Sequence, residues 1–279
     1  MATLQVNGAE LFYERTGEGE PVVFTHGAWS DGRTWQAVSE RMASRFEVVI
    51  WDRRGHSRSQ RRDGPGNFQE DAADLAMLIE RLGDRVHAVG TSAGGGVVLN
   101  LLTTRPDLVK TASVHEPGPF GLLEEGAGLH LMQLIAREKA LATEVERMIA
   151  GGDARRAAEY FIDNIAVGAG GWEQFPDEFK AILTANASTV ADDFRDSFDP
   201  GSVDIAGLAA SSIPLLISTG SEGSELERAA VRELVRRVPA ANLVELAGAG
   251  HLPHRTHPDD YAAMLMSFID QAFVAGSVL

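Results

Sequence analysis

Ser92 stands at the apex of Gly90-Thr91-Ser92-Ala93-Gly94, with an apolar β-type run before it, Val86 to Val89, and a helical run after it carrying Val97, Val98, Leu99, Leu101 and Leu102. Strand, sharp turn and helix in that order lift a serine hydroxyl above a sheet at a helix start, and the glycines let a crowded backbone make the turn. The amide of Ala93 then points to where a substrate oxyanion would sit. A plainer reading of the same five residues is a glycine-rich turn whose serine only caps the helix. A serine hydroxyl is a weak nucleophile until a base takes its proton, so the chemical reading requires a histidine. Of the eight histidines, His251 lies between a strand end and a helix start, on a loop that can fold over Ser92. His254 and His257 follow at spacings of three. Pro253 and Pro258 keep one helix from holding all three, and no H-E-x-x-H pattern accompanies them, so no metal site is expected. His26 is read as ordering its own turn, His56 as a turn former, and His87 and His115 as core and strand-end residues.

The elements that must position these residues alternate along the chain. Leu4 to Val6 and Leu11 to Glu14, separated by Asn7-Gly8, read as a β-hairpin. Short strands are expected over Pro21–Thr25, Phe46–Trp51, Leu108–Val114, Ile213–Ser218 and Asn242–Leu246, and helices over Arg33–Ser44, Phe68–Leu82, Glu225–Val238 and Pro258–Phe273. Strands alternating with helices at this spacing imply a mostly parallel sheet covered on both faces. From Phe120 to Asp204 the alternation stops. Helical patterns over Leu129–Ala150, Asp153–Ala166 and Pro176–Ser188 read as a helical cap, residues 120–204, inserted into an α/β core of 1–119 and 205–279.

Composition narrows the function classes. A chain of 279 residues with 44% hydrophobic content and 29 glycines suits a compact enzyme-like fold. Its net charge of −15 disfavours nucleic acid and anionic membrane as partners. With no cysteines, disulfides, thiolate catalysis and cysteine-ligated zinc are excluded. No signal-peptide pattern and no apolar run of about 20 residues is found, so a soluble, cytoplasmic protein is expected.

The motifs together resemble the α/β-hydrolase family over nearly the full length. Four carry the likeness in the family's order: His26-Gly27, Asp52-Arg-Arg-Gly-His-Ser57, the Gly-Thr-Ser-Ala-Gly turn at 90–94, and Gly248-Ala-Gly-His251. The resemblance implies an eight-stranded, mostly parallel sheet. It also implies Ser92 as nucleophile, His251 as base, and an oxyanion hole of the Ala28 and Ala93 amides. In most members the acid follows the strand after the cap in a Gly-x-x-Asp arrangement; here that stretch reads Gly220-Ser-Glu-Gly223. Glu222 and Glu225 are near but off register. Glu116 is preferred because it ends the strand after the Ser92 helix, on the same sheet edge as Ser92, where ligand sites of open α/β sheets gather. That placement is similar to fungal zearalenone lactonases, whose acid is a glutamate after the corresponding strand. Glu222 stays open as the alternative.

The resemblance implies hydrolysis of a carboxylic ester or lactone through an acyl-enzyme, without cofactor or metal. The apolar cap inventory suits a small, neutral, hydrophobic substrate. Trp29, beside the oxyanion turn, and Trp172, in a glycine-rich bend, are expected to face it, and a homodimer is compatible with the sequence. The same residues would also serve carbon–carbon bond hydrolysis or perhydrolase chemistry, or a non-hydrolytic receptor or cyclase.

Overall fold

A computed structural model describes residues 2–61, 64–124 and 127–276, the side chains of 273–276 excepted. Eight strands form one sheet: β1 (Ala2–Val6), β2 (Ala9–Thr16), β3 (Glu20–Thr25), β4 (Phe46–Trp51), β5 (Val86–Thr91), β6 (Val109–His115), β7 (Leu215–Gly220) and β8 (Asn242–Leu246). Their spatial order is β1-β2-β4-β3-β5-β6-β7-β8. β1 and β2 pair antiparallel, β2 pairs antiparallel with β4, and the remaining strands run parallel. Residues before β7 do not join it as early as the apolar run suggests. Pro214 has no N–H to give, and its carbonyl instead accepts from the Ala112 amide at 2.9 Å.

Successive residues of the central strands feed two separate cores, as a period of two demands. Val23, Val49 and Ala88 pack with Phe68, Leu75, Val97 and Leu101 on one face. Val22, Val48 and Val89 pack with Trp35, Tyr261 and Leu265 on the other. Both faces are dry because helices cover both, which is how parallel sheets are stabilised. The helices are, in chain order, α1 (Gln36–Met42), α2 (Phe68–Leu82), α3 (Ala93–Thr104), α4 (Leu129–Ala150), α5 (Ala154–Phe161), α6 (Asp177–Ala185), α7 (Val190–Phe198), α8 (Ile205–Ala210), α9 (Glu225–Arg237), α10 (Pro253–Thr256) and α11 (Pro258–Gly276). α2 starts where the Asn67 side chain accepts from the Glu70 amide and stops at Gly83, whose φ of 84° only glycine adopts readily.

Helices α4 to α8 all lie between β6 and β7, and no strand interrupts them among the described residues. The helix expected over Asp153–Ala166 ends as an α-helix at Phe161 and continues as a π turn, Ile162–Ala166. The one expected over Pro176–Ser188 stops at Ala185, where Asn186 begins a short 3-10 turn. α7 is hidden from an apolar-periodicity reading because two of its inward positions are Asp193 and Asp196, both buried. This insertion has its own apolar core, with Val145, Met148, Ala158, Phe179 and Leu183, and Trp29 from the sheet side is inserted into it.

Candidate active site

Ser92 is carried between β5 and α3 with φ 51° and ψ −128°, a backbone region that persists only when the surroundings hold it. A Cβ at Gly94 would lie 2.4 Å from the carbonyl oxygens of both Thr25 and His26. The turn and β3 therefore touch only because residue 94 has no side chain. Ser92 makes no side-chain capping bond to α3; its hydroxyl is left to the cavities beside it.

Across from Ser92 runs the segment Gly27-Ala28-Trp29. The Ala28 and Ala93 amides have no acceptor among the described residues, as expected for Ala93 in the first turn of a helix. The segment's shape is held from two sides. His26 Nε2 accepts the Arg53 amide at 2.9 Å, so its proton is on Nδ1, which donates to Gly27 O at 2.8 Å. Burial, helped by the Arg53 charge, lowers the His26 pKa to about 4, so this ring is neutral and structural. From the insertion, the buried Asn186 donates to Trp29 O at 3.1 Å and Ser30 O at 2.9 Å, while its own carbonyl accepts the Ser57 amide at 2.8 Å. Arg53 adds an ionic tie, with Asp71 of α2 at 2.8 Å and Asp193 of α7 at 2.5 Å, all three buried.

On the loop after β8, His251 Nδ1 lies 2.8 Å from Glu116 Oε2. Glu116 follows β6 with φ 40°. Its other oxygen, Oε1, accepts from Thr219 Oγ1 at 2.7 Å and the Gly220 amide at 3.0 Å. Gly223, at the position where an aspartate would have completed the commoner arrangement, gives the glutamate its space: a Cβ there would fall 2.5 Å from Glu116 Oε1. Glu222 is exposed, with its amide on Ala249 O at 2.8 Å, and Glu225 reaches His130 at 2.8 Å. Of the weighed carboxylates, only Glu116 meets His251.

A second carboxylate that sequence reasoning missed also meets it. Glu227 Oε1 lies 2.8 Å from the same Nδ1. Its visible signal was Ser224-x-x-Glu227, a capping box that starts α9, and nothing in that pattern points across to His251. Burial works against the Glu116 charge, yet the hydrogen bond and charge of His251 hold its carboxyl well below the ordinary range. Burial pushes Glu227 up. For His251 burial alone would lower the pKa, but the charge of Glu227 and the bond to Glu116 raise it well above its ordinary value. These three side chains offer ligand atoms within 4.8 Å of one another, all engaged in the contacts just given. His251, His254 and His257 are not brought together: His254 bonds Thr34 Oγ1 at 3.0 Å and packs on Trp35, and His257 bonds Thr256.

Ser92 and His251 line two small cavities of about 40 Å³ each. One is walled by Phe161, Ile162, Phe179 and Leu183. The other is walled by Phe120, Phe194 and Phe198, with Glu138 at its edge. His251 and Glu138 also border a vestibule of about 560 Å³, together with Phe175 and Glu222. Burial, and then the Glu227 charge, lift the Glu138 carboxyl to about 7. Trp29 and Trp172 correct the expectation placed on them: neither lines these cavities. Trp29 is fully buried, stacked on Phe161 at 5.2 Å, and Trp172 is 1% exposed within the insertion core. They stand behind the wall, because apolar area on this scale is worth more packed than wet.

Known proteins share this fold. A pimeloyl-[acyl-carrier protein] methyl ester esterase of Aeromonas salmonicida is 26% identical over 272 residues, covering 92% of this chain and 98% of its own. A crystal structure of an alpha/beta hydrolase from Sphaerobacter thermophilus superposes with a TM-score of 0.74 at 26% identity, over 96% of this chain and 99% of that one. The enol-lactonase of Burkholderia xenovorans shares the fold at a TM-score of 0.72 and 19% identity, over 96% and 100% of the two chains. The family model described as alpha/beta hydrolase matches residues 22–264. With most of its length inside that match, this chain belongs to the alpha/beta hydrolase family and is a hydrolase.

Proposed function

We propose that the chain is a serine hydrolase of neutral, hydrophobic carboxylic esters or lactones, with residues 120–204 as a cap over the core. The observation that carries this reading is the 2.8 Å contact between Glu116 Oε2 and His251 Nδ1 beside cavities shared by His251 and Ser92. In it, Ser92 Oγ attacks the carbonyl carbon, its proton passes to His251 Nε2, and the carbonyl electron pair moves onto oxygen, facing the Ala28 and Ala93 amides. Collapse breaks the bond to the alkoxide, which takes the proton from His251. Water then adds to the acyl carbon with its proton going to His251, and collapse releases the acid and returns the proton to Ser92. Glu116 keeps the Nδ1 proton in place and stabilises the imidazolium. One such oxyanion donor is worth roughly 10²- to 10³-fold in kcat.

The substrate class rests on the aromatic and aliphatic walls beside Ser92 and on the ester and lactone activities named for the similar proteins. The position of Glu116 supports placing the chain beside the lactonases whose acid follows this strand. Initial rates on short p-nitrophenyl esters and a hydrophobic lactone panel test the reading. Wild type should turn over, and Ser92→Ala should fall by about 10⁴-fold or more with an unchanged fold; turnover retained in Ser92→Ala would sink it.

A further inference from the structure

The Nδ1 side of His251 is occupied twice, by Glu116 Oε2 and by Glu227 Oε1, each at 2.8 Å. Nδ1 carries one N–H, so it satisfies one acceptor. The other carboxylate must find a proton elsewhere or stand ionised beside a like charge in a dry site, which is strongly unfavourable. The donors around the two are unequal. Glu116 has the Thr219 hydroxyl and the Gly220 amide on Oε1 besides the imidazole on Oε2. Glu227, besides the imidazole on Oε1, has among the described residues only the longer contacts from Ser224, 3.2 Å from the hydroxyl and 3.4 Å from the amide. Charge therefore belongs on Glu116, and Glu227 is the carboxylate that exchanges a proton with the imidazole, protonated when His251 is neutral and ionised when His251 is protonated.

We propose that Glu227 is a positioning residue that shares a proton with Glu116 on the Nδ1 side of His251 and so sets the pH below which the imidazole ceases to act as base. This rests on the reading of Ser92 and His251 as nucleophile and base. With Glu227 as the acid, its O–H donates to Glu116, and only Glu116 bears charge against the imidazole. Loss of that proton adds a second negative charge and holds His251 in its protonated, inactive form. The two groups thus compete for one proton over the same pH range, and the active base appears later than a lone Glu–His pair would allow. The other groups facing this cluster are known. His115 Nε2 lies 3.8 Å from Glu116 Oε2. His254 and Tyr261 sense the charges of His251 and Glu116, and Glu138 of α4, with Arg137 beside it, senses Glu227. On and before α9, Glu222 and Glu225 line the vestibule. None of these reaches Nδ1.

The test is the pH dependence of kcat/KM for wild type, Glu227→Gln, Glu116→Gln and Ser92→Ala on one p-nitrophenyl ester. Glutamine still completes the capping box with Ser224, so α9 keeps its start. The expected result is that the acidic limb moves to lower pH by about one unit or more in Glu227→Gln, with the plateau rate within severalfold of wild type. Glu116→Gln should instead lower the plateau. An unmoved limb in Glu227→Gln, with Ser92→Ala inactive, overturns this proposal alone; activity in Ser92→Ala overturns the reading beneath it. If Glu227→Gln does not fold, ¹⁵N-histidine NMR of the wild type decides. The His251 signal, assigned by its loss in His251→Gln, should titrate in two steps, and a single step overturns the proposal.

Discussion

At the residue scale, the carboxylate that meets His251 stands at the end of β6, and Gly223 is the position that leaves it room. Restoring an aspartate by Gly223→Asp should not rescue or improve anything. Its Cβ would press on Glu116 Oε1 from 2.5 Å, displacing that carboxylate, lowering kcat/KM at least tenfold and costing about 1–3 kcal/mol in stability as overpacking does. Adding Glu116→Ala to it should recover part of the stability, which urea unfolding of the single and double variants would measure. His251 sets a second expectation. Its pKa is raised well above the ordinary value by the carboxylates on Nδ1, against the effect of burial. In the proposed mechanism the base is the unprotonated ring, so activity should fall as pH drops through that raised value. The acidic limb of kcat/KM should therefore centre above the usual histidine range of about 6.5; a limb centred below it would contradict the contact geometry.

At the scale of elements, the insertion and the sheet are joined by polar groups sealed from water. Arg53 links α2 to α7 through Asp71 and Asp193. Asp193→Ala should destabilise the protein by about 3–5 kcal/mol, because it leaves a buried guanidinium half compensated; chemical denaturation reads this directly. Asn186→Ala removes the side-chain hydrogen bonds to Trp29 O, Ser30 O and both the amide and hydroxyl of Ser57 at the Trp29 turn and its neighbour loop. Its expected signature is kinetic: kcat down by about tenfold or more with KM little changed, since the Ala28 amide is a transition-state donor in the proposed mechanism. The sequence made the sheet, the Ser92 turn and the His251 loop legible because glycine spacing and apolar alternation are local signals. It concealed α7, whose inward side is acidic, and the late start of β7, which Pro214 dictates. Glu227 was equally concealed, since a capping glutamate carries no sign of a tertiary partner. Trp29 was misjudged for a related reason: adjacency to the oxyanion turn says nothing about direction, and a φ of 65° sends the chain so that the indole enters the insertion core.

Across the whole molecule, acid should act through histidines that are buried and neutral. His26 and His115 both have pKa values lowered to about 4, chiefly by burial. In the unfolded chain they bind protons from about 6.5 downward, so the folded state binds fewer protons between those limits. Their contribution to stability is complete above about 6.5 and declines as pH falls toward 4, by as much as about 1.4 kcal/mol per pH unit for each. The raised pKa of His251 works in the opposite direction, so urea midpoints at pH 7 and pH 4.5 would check this by comparison with His115→Gln: its midpoint should fall less than that of wild type, and an equal fall would mean that the His115 ring is not neutral in the fold. No helix among the described residues is long and apolar enough to cross a membrane. The two ends of the insertion meet outside the sheet, where a Cβ at Gly121 would lie 2.5 Å from the Pro200 backbone nitrogen, so a foreign segment could be spliced between them. Such a transplant would not be free to take any sequence. It would have to bring an acid opposite Arg53, an amide side chain over the Trp29 carbonyl and a hydrophobic socket for the Trp29 indole. The core thus dictates three features of any segment that replaces the native one.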